Sequence, residues 1–593
     1  MRSFSSYLAP QRGLSKDVFT LASIFSRNII LTWLVLLPLL AAVLMLPLIY
    51  LHSIPLFSSL FEINQDCNIW AGVMLFLSWV IACLLNTSSC SINTYLFKYV
   101  SFSGFITVLI AILVSLFDPF HDAFIAFLQS IYEVKNNNHI YETTYAILAV
   151  PSLLLFYAAL NGLIQGFISN WAEEITRERS ARRNASLIIT AVGWVVLCAA
   201  AIILPIFFLS LLQISPNWIA SLGGIAGIAS IVVGYFNSDD GSGKEPNKGW
   251  LGWISNNLQT AGALIVLVTI AFVLSLSNSS ISNAVFSQSD MNAKKTESQL
   301  DIAPTNLPCL TPLQIQTQEQ LKETSKQSPK QKNALAKPAC SKGFMFLQRV
   351  KNKHVNYLSE DKSKYFVFKL LVITILMYLI SFIASSLFGV NRFSLHALYG
   401  NRLVRAYLAA AREDRDDLDE ETDFADKDNI KLDDIVNNNL LHIINANVND
   451  AQSENTANQQ RKGDSFTFSA LHSGSSVTGF QKSSNLTNGG VSLGKAMTIS
   501  GAAVSPSMGY NSSKLVSAVL TLLNARLGWW LPSPRTKDKS FLKLDEPRTG
   551  VWQLITEFLG RTSSQSEYIH VSDGGHFDNL GVYEMIRRRC KTI

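Results

Sequence analysis

Runs of about 20 residues with no charged side chain fill the first two thirds of this chain, and they restrict it to few folds. Crossing roughly 30 Å of hydrocarbon takes about 20 mostly apolar residues. In that medium every backbone N–H and C=O must be paired within the segment, so such runs become helices. Eight segments qualify or nearly qualify: residues 28–50, 70–86, 99–117, 143–169, 184–214, 217–236, 258–276 and 370–390. The 217–236 segment is rich in glycine, so it either crosses or re-enters. Composition points the same way. Only 16% of residues are charged, where soluble domains carry about 25%, and the mean hydropathy is +0.23. Together these exclude a disordered chain, a fibre and an ordinary soluble enzyme. A net charge of +6 over 593 residues is too mild to imply nucleic acid.

The basic residues of the short loops set the orientation. Residues 1–27 carry Arg2, Arg12, Lys16 and Arg27 against Asp17. With Phe19, Leu21, Ile24 and Phe25 they read as a basic amphipathic segment at the membrane surface, on the inside. The following apolar run is too long for the h-region of a cleavable signal. The loop holding Glu62 and Asp66 is placed outside, and the loop with Arg177, Arg179, Arg182 and Arg183 inside. Spans one to seven then occupy residues 28–276, and the eighth occupies 365–390. Both ends of the chain fall on the cytoplasmic side, and a bacterial inner membrane is expected. Residues 277–364, rich in Ser, Asn, Gln and Lys, read as a flexible polar loop.

No span carries a central Asp, Glu, Lys or Arg, which weakens a transporter reading. Gly162/Gly166 and Gly223/Gly227 have the small-xxx-small spacing of close helix contacts, and glycine is common in membrane helices anyway. The seven cysteines include no CxxC and read as separate thiols. A Cys309–Cys340 bridge is the alternative if that loop faces an oxidising compartment.

Residues 391–593 are different material. A helix is expected over 393–408, a solvated acidic loop over 413–426, strands over 440–448 and 465–468, and a glycine- and serine-rich stretch over 474–494. A dense run of small residues, 496–506, suits a helix end approaching a neighbouring backbone. An apolar helix is expected over 515–527, ending in Trp529 and Trp530 at the membrane interface. Near the end, residues 568–571 read as a strand leading into Asp573-Gly574-Gly575. The two glycines permit positive φ and close backbone approach. Asp578 is expected to cap a helix over 579–589, and a further strand to start at Cys590. A carboxylate on a glycine turn at a strand end is where α/β enzymes place catalytic acids. Asp573, His576 and Asp578 offer three metal donors within one turn, which is thin support, and no metal or cofactor is expected.

Ser500-Gly501-Ala502-Ala503 through Pro506, followed by Asp573-Gly574-Gly575 and Asn579-Leu580, resembles the second half of patatin-like phospholipases, closest to large membrane-bound bacterial members. The multi-span region resembles theirs too, so most of the chain is covered. The resemblance implies a fold of about eight membrane helices followed by part of an α/β patatin-like hydrolase domain over 391–593. It also implies a Ser–Asp dyad acting on a lipid ester, with Asp573 as general base and a serine on a GxSxG elbow as nucleophile. Ser500, Gly501, Pro506, Gly574, Gly575 and Asn579 are motif support.

The chain departs from that family at one point: it contains no GxSxG and no early glycine-rich oxyanion loop. Gly13-Leu14-Ser15-Lys16-Asp17 and Gly474-Ser475-Ser476-Val477-Thr478 both lack the final glycine. The expectation is a fragment that is inactive alone, with the nucleophile on a missing segment or a separate N-terminal polypeptide. Its other partner would be membrane lipid. The alternative is a non-enzymatic membrane protein whose degenerate hydrolase domain binds lipid or a protein partner.

Overall fold

The computed structural model describes residues 16–60, 174–214, 250–286 and 364–593, with short breaks between 413 and 454, and scattered positions within 143–159 and at 350–351. The expected spans 70–86, 99–117 and 217–236, most of the 277–364 loop, Cys67, Cys83, Cys90, Cys309 and Cys340, and both paired-glycine motifs lie outside the described residues.

Among the described residues four helices are long and apolar enough to cross a membrane: Phe19–Ser53, Asn184–Ser210, Ala263–Ile281 and Phe366–Leu387. They coincide with four of the expected runs. A shorter apolar helix, Ala146–Ala159, falls within the expected 143–169 span. The full helices are α1 (Lys16–Leu60), α2 (Glu174–Cys198), α3 (Leu204–Ile214), α4 (Trp250–Phe286) and α5 (Lys364–Leu387). Residues 16–27 continue directly into the first span as one helix. Between α2 and α3 the backbone takes one wider π turn, Ala199–Ile203.

The chain divides into two compact units. One comprises Ala41–Ser221 and Val268–Ile375. Its core is aliphatic, with Leu48, Ala146, Ala201, Ile202, Ile206 and Leu370 fully buried. Side-chain hydrogen bonds to backbone carbonyls add polar contacts between these helices. Ser275 Oγ donates to Ala201 O at 2.8 Å, Asn278 Nδ2 to Ala41 O at 3.0 Å and Trp194 Nε1 to Ala146 O at 3.0 Å.

The other unit comprises Met1–Leu40, Leu222–Leu267 and Leu376–Ile593. Within it, Ser381 Oγ of α5 donates to Val35 O of α1 at 2.7 Å. A short helix α6 (Leu395–Leu403) follows, and its last turns widen through a π segment, Val404–Leu408. The strands are β1 (Ile443–Asn449), β2 (Gly463–Ser469), β3 (His472–Ser475), β4 (Gly479–Lys482), β5 (Trp529–Pro532) and β6 (Tyr568–Asp573). They form one sheet in the order β4-β3-β2-β1-β6-β5, and every pairing is antiparallel. Among the described residues there is thus no parallel crossover of the kind an α/β fold expectation brings to mind. Between the strands lie α7 (Thr456–Gln459), α8 (Leu493–Ser500), α9 (Lys514–Leu522), α10 (Lys539–Leu542) and α11 (Val551–Phe558), and α12 (Val582–Arg587) follows β6.

Strand periodicity sends Ala446, Val448, Phe466, Phe468, Ile569 and Val571 to one apolar core, each fully buried. Burying each phenylalanine contributes about 1.5–3 kcal/mol. The sheet unit is fastened to the ends of the spans. Gly550 N, ahead of α11, donates to Ser385 O in the last turn of α5 at 3.2 Å. Trp33 Nε1 of α1 donates to Leu522 O at the end of α9 at 2.8 Å. Asn391 takes both backbone groups of Trp530: its Oδ1 accepts from Trp530 N at 3.0 Å and its Nδ2 donates to Trp530 O at 2.9 Å. The outer edge of β5 is covered in this way.

Several sequence expectations shift. Trp529 and Trp530 do not end a helix at the membrane interface; they form buried β5, 8% and 3% exposed. The preceding helix stops at Leu522. The 474–494 stretch contains the β3–β4 hairpin. The final helix is Val582–Arg587, because Gly581 adopts φ 67 and interrupts it. No strand starts at Cys590.

Candidate functional site

Asp573 closes β6, which runs between β1 and β5. Ala446 of β1 pairs with Asp573, and Asn447 with Ser572. Beyond Asp573 the chain makes a single 3-10 turn, Gly574–His576. The Asp573 carboxylate accepts from Gly575 N at 2.7 Å through Oδ1. Among the described residues that is its sole hydrogen bond, so Oδ2 is open. The side chain is half-buried.

Close approach, not positive φ, is what demands the two glycines. A Cβ on Gly574 would lie 2.8 Å from both the backbone oxygen and Nδ2 of Asn445. A Cβ on Gly575 would lie 2.8 Å from Asn579 Oδ1 and 3.1 Å from Asp573 Oδ1. The first clash is with strand backbone, which cannot swing aside. Gly574→Ala is therefore expected to destabilise the domain by about 1–3 kcal/mol. Gly575→Ala, meeting only side-chain ends, should cost less, and thermal melts of the detergent-solubilised chain would rank the two.

Asn445 gathers further sequence-predicted residues. Its carbonyl accepts from Ser500 Oγ at 2.7 Å, and its Nδ2 donates to Asp578 O at 2.7 Å. Ser500 is the last residue of α8, whose start is capped by Ser492 Oγ accepting from Lys495 N. Gly501 follows, where a Cβ would meet Tyr399 Oη at 2.7 Å. Gly574, Ser500 and Asp578 thus meet at one strand residue, Asn445. Asn579 is exposed beside Gly575. Pro506 is buried elsewhere, its carbonyl accepting from Ser517 Oγ.

His576 and Asp578 point to separate tasks. Ser572 Oγ donates to His576 Nδ1 at 2.9 Å, and His576 Nε2 donates to Ala503 O at 3.1 Å. This ties the turn to the small-residue stretch. Asp578 Oδ2 accepts from Tyr583 N in the first turn of α12 at 2.8 Å, although the N-cap of that helix is Gly581 and not Asp578 as expected. With their donor atoms so used, the two do not converge with Asp573. Arg587 and Arg588 both pair with buried Glu584, at 2.7 and 2.6 Å.

The second face of β1 and β6 carries a polar network that the sequence reading missed. Asn449 Nδ2 donates to His570 Nδ1 at 2.9 Å and to Ser572 Oγ at 2.8 Å. Asn449 Oδ1 accepts from Asn447 Nδ2 and Gly509 N. Since His570 Nδ1 accepts, the proton sits on Nε2, which lies 3.6 Å from Glu557 Oε1 and 3.5 Å from Ser505 Oγ. Glu557 is clasped by Arg526 through both carboxylate oxygens and accepts from Trp530 Nε1 at 2.7 Å. Burial pushes the His570 pKa down to about 4, opposed by the Glu557 charge and reinforced by Arg526 and His576.

Ser505, His570 and Glu557 are the residue types of a hydrolytic triad, but the geometry is wrong. Serine and carboxylate share one imidazole nitrogen, whereas a triad needs one on each. Ser505 is also fully buried. Among the described residues no group of three or more His, Cys, Asp or Glu is arranged to hold a metal ion. Comparison with known proteins adds nothing: no family model, no curated protein and no solved structure matches the chain.

Proposed function

We propose that the chain is an integral membrane protein whose sheet domain carries the acid–base half of a patatin-like lipid acyl hydrolase. In this reading Asp573 is the general base, and the nucleophilic serine lies outside this sequence, on a further segment or on a separate polypeptide. The chain alone is inactive. The single observation behind it is the state of Asp573: one carboxylate oxygen is fixed by Gly575 N–H and the other is open. A serine hydroxyl is a weak nucleophile until a neighbour takes its proton. A carboxylate held by one oxygen, at the end of a strand paired on both sides, suits that task.

In the proposed reaction Oδ2 takes the hydroxyl proton as serine oxygen attacks the ester carbonyl. The alcohol leaves with a proton and the acyl group stays on serine. Water then releases the fatty acid by the same proton route. The four apolar helices keep the domain near its lipid substrate. An even number of spans in a bacterial inner membrane, with both ends cytoplasmic, belongs to the same proposal. It puts the domain on the side where a cytoplasmic partner could reach it.

The test is fluorophosphonate labelling and fatty-acid release from phospholipid vesicles. The full chain alone should give neither. Together with a GxSxG-bearing polypeptide encoded beside it, both should appear, and Asp573→Asn should reduce them by about a hundredfold or more. Labelling of the isolated chain that vanishes in Asp573→Asn would show a complete enzyme instead. The alternative, a non-enzymatic domain that binds lipid or a protein partner, draws on another observation. Among the described residues no serine hydroxyl bonds to Asp573. A pair that stays silent in both assays would select it.

A further inference from the structure

The outward face of α11 is unlike that of a solvated helix. Its inner side, with Val551, Leu554 and Glu557, is buried, and the helix packs against α9. Its outer side carries Trp552, 57% exposed, half-buried Ile555 and, just past Phe558, Leu559, 43% exposed. The i, i+3, i+7 spacing puts these three on one stripe. The helix contains no Lys or Arg, and its one acidic residue, Glu557, is turned inward onto Arg526. A helix face in water normally carries charge.

Two hydrogen bonds fix the level of this stripe against the spans. Gly550, the residue before α11, donates its N–H to Ser385 O in the last turn of α5 at 3.2 Å. A Cβ at Gly550 would lie 2.9 Å from Val390 Cβ, so the junction is closely packed. The helix α9 ends where Leu522 O accepts from Trp33 Nε1 of α1 at 2.8 Å. The apolar helix of α1 runs to Ser53, and the 20 residues from Leu34 to Ser53 rise about 30 Å, the thickness of a hydrocarbon core. If α1 crosses a bilayer, Trp33 stands at one face of it, and the paired α9 and α11 stand there too. Exposed cations flank the stripe: Arg548 ahead of α11, Arg561 behind it, and Lys514 beside Gly560.

We infer that the outer stripe of α11 rests on the interface of the bilayer that α1 and α5 cross. Trp552 sits at headgroup level, Ile555 and Leu559 meet the upper acyl carbons, and the flanking cations meet anionic headgroups. Apolar helix faces with basic flanks bind a membrane surface in this way, and tryptophan favours that depth. The inference rests on the membrane reading and does not need the hydrolase reading.

The test compares the full chain with Trp552→Phe, each reconstituted in phospholipid vesicles. The difference between their emission spectra reports Trp552 alone. With lipids brominated at the upper acyl carbons, that difference signal should fall about twofold, as for an indole at the interface. Trp552 is exposed, so the variant should keep the wild-type melting temperature. Combining Trp552→Phe with Leu559→Trp moves the reporter along the same stripe, and it should be quenched likewise. A difference signal that brominated lipid leaves intact would overturn the inference. If aqueous iodide quenches it instead, the stripe faces water; if neither quencher reaches it, a protein surface covers it. Trp33 and Trp194, which lie on two of the apolar helices, separate the two readings. Quenching of the remaining emission without the Trp552 signal would sink this inference and leave the membrane reading standing. No quenching of any tryptophan would sink both, and neither result touches the chemistry of Asp573.

Discussion

Replacing Arg526 with methionine should cost the sheet domain about 3–5 kcal/mol. Arg526 is 2% and Glu557 1% exposed, so neither charge has water to turn to. Arg526 also donates to Val390 O at 3.1 Å, tying the residues after α5 to the domain. Without it, among the described residues Glu557 keeps only Trp530 Nε1 as a donor at normal distance, and the buried carboxylate must either stay unpaired or take up a proton. Removing both charges, in Arg526→Met with Glu557→Gln, should restore much of the loss, because no uncompensated charge then remains. Tryptophan-fluorescence melts of the full chain in detergent would read this directly, since Trp530 touches Glu557. A single substitution costing under about 1 kcal/mol would mean that the pair is hydrated in solution.

Acid should unfold the same domain well above the usual carboxylate range. His570 and His396 are both buried, with pKa values near 4 and near 3. For His396 burial is the main cause, the hydrogen bond to Leu527 O opposes it, and the Lys495 charge adds to it. Both folded values lie below the unfolded one near 6.5, so the unfolded chain binds more protons throughout the interval. The stability from keeping these rings neutral is therefore complete above pH 6.5 and is lost as pH falls toward 4. At about 1.4 kcal/mol per unit, the loss approaches roughly 3 kcal/mol for His570 and 5 for His396. Those are large against the 5–15 kcal/mol of an ordinary domain. Asp464, whose pKa burial raises, works in the opposite direction at the lower end of the range. Melting temperatures taken at pH 7.5, 6 and 5 should fall steeply. A flat profile over that range would contradict the neutral, buried state of both rings.

Four of the eight expected spans were legible among the described residues, because a long charge-free run favours a helix that pairs its own backbone. The Asp573 turn was legible because its glycines are local. The network was not, for a physical reason visible in β1 and β6. Ile-His-Val-Ser and Ala-Asn-Val-Asn alternate apolar and polar, which ordinarily signals one core face and one wet face. Here the polar face is buried as well: His570, Ser572 and Asn447 are fully buried and Asn449 is 1% exposed. What covers it includes Glu557 of α11 and Ser505, and the Glu557 side chain and His570 are brought together from separate elements. No local pattern in the sequence announces that pairing. Trp529 and Trp530 misled for a related reason. Beside a predicted apolar helix they look like interface anchors, yet strand pairing with β6 from Tyr568 to Val571 draws them inside.

The link between α5 and β5 has a mechanical consequence. Only three residues separate the end of α5 at Leu387 from Asn391, which clamps both backbone groups of Trp530. There is no slack to absorb a change in helix tilt. Were α5 to cross a bilayer, a change of thickness that tips it would pull on the outer edge of β5 and, through its ladder, on the strand that ends in Asp573. A change in helix tilt would thus reach the Asp573 carboxylate as a displacement.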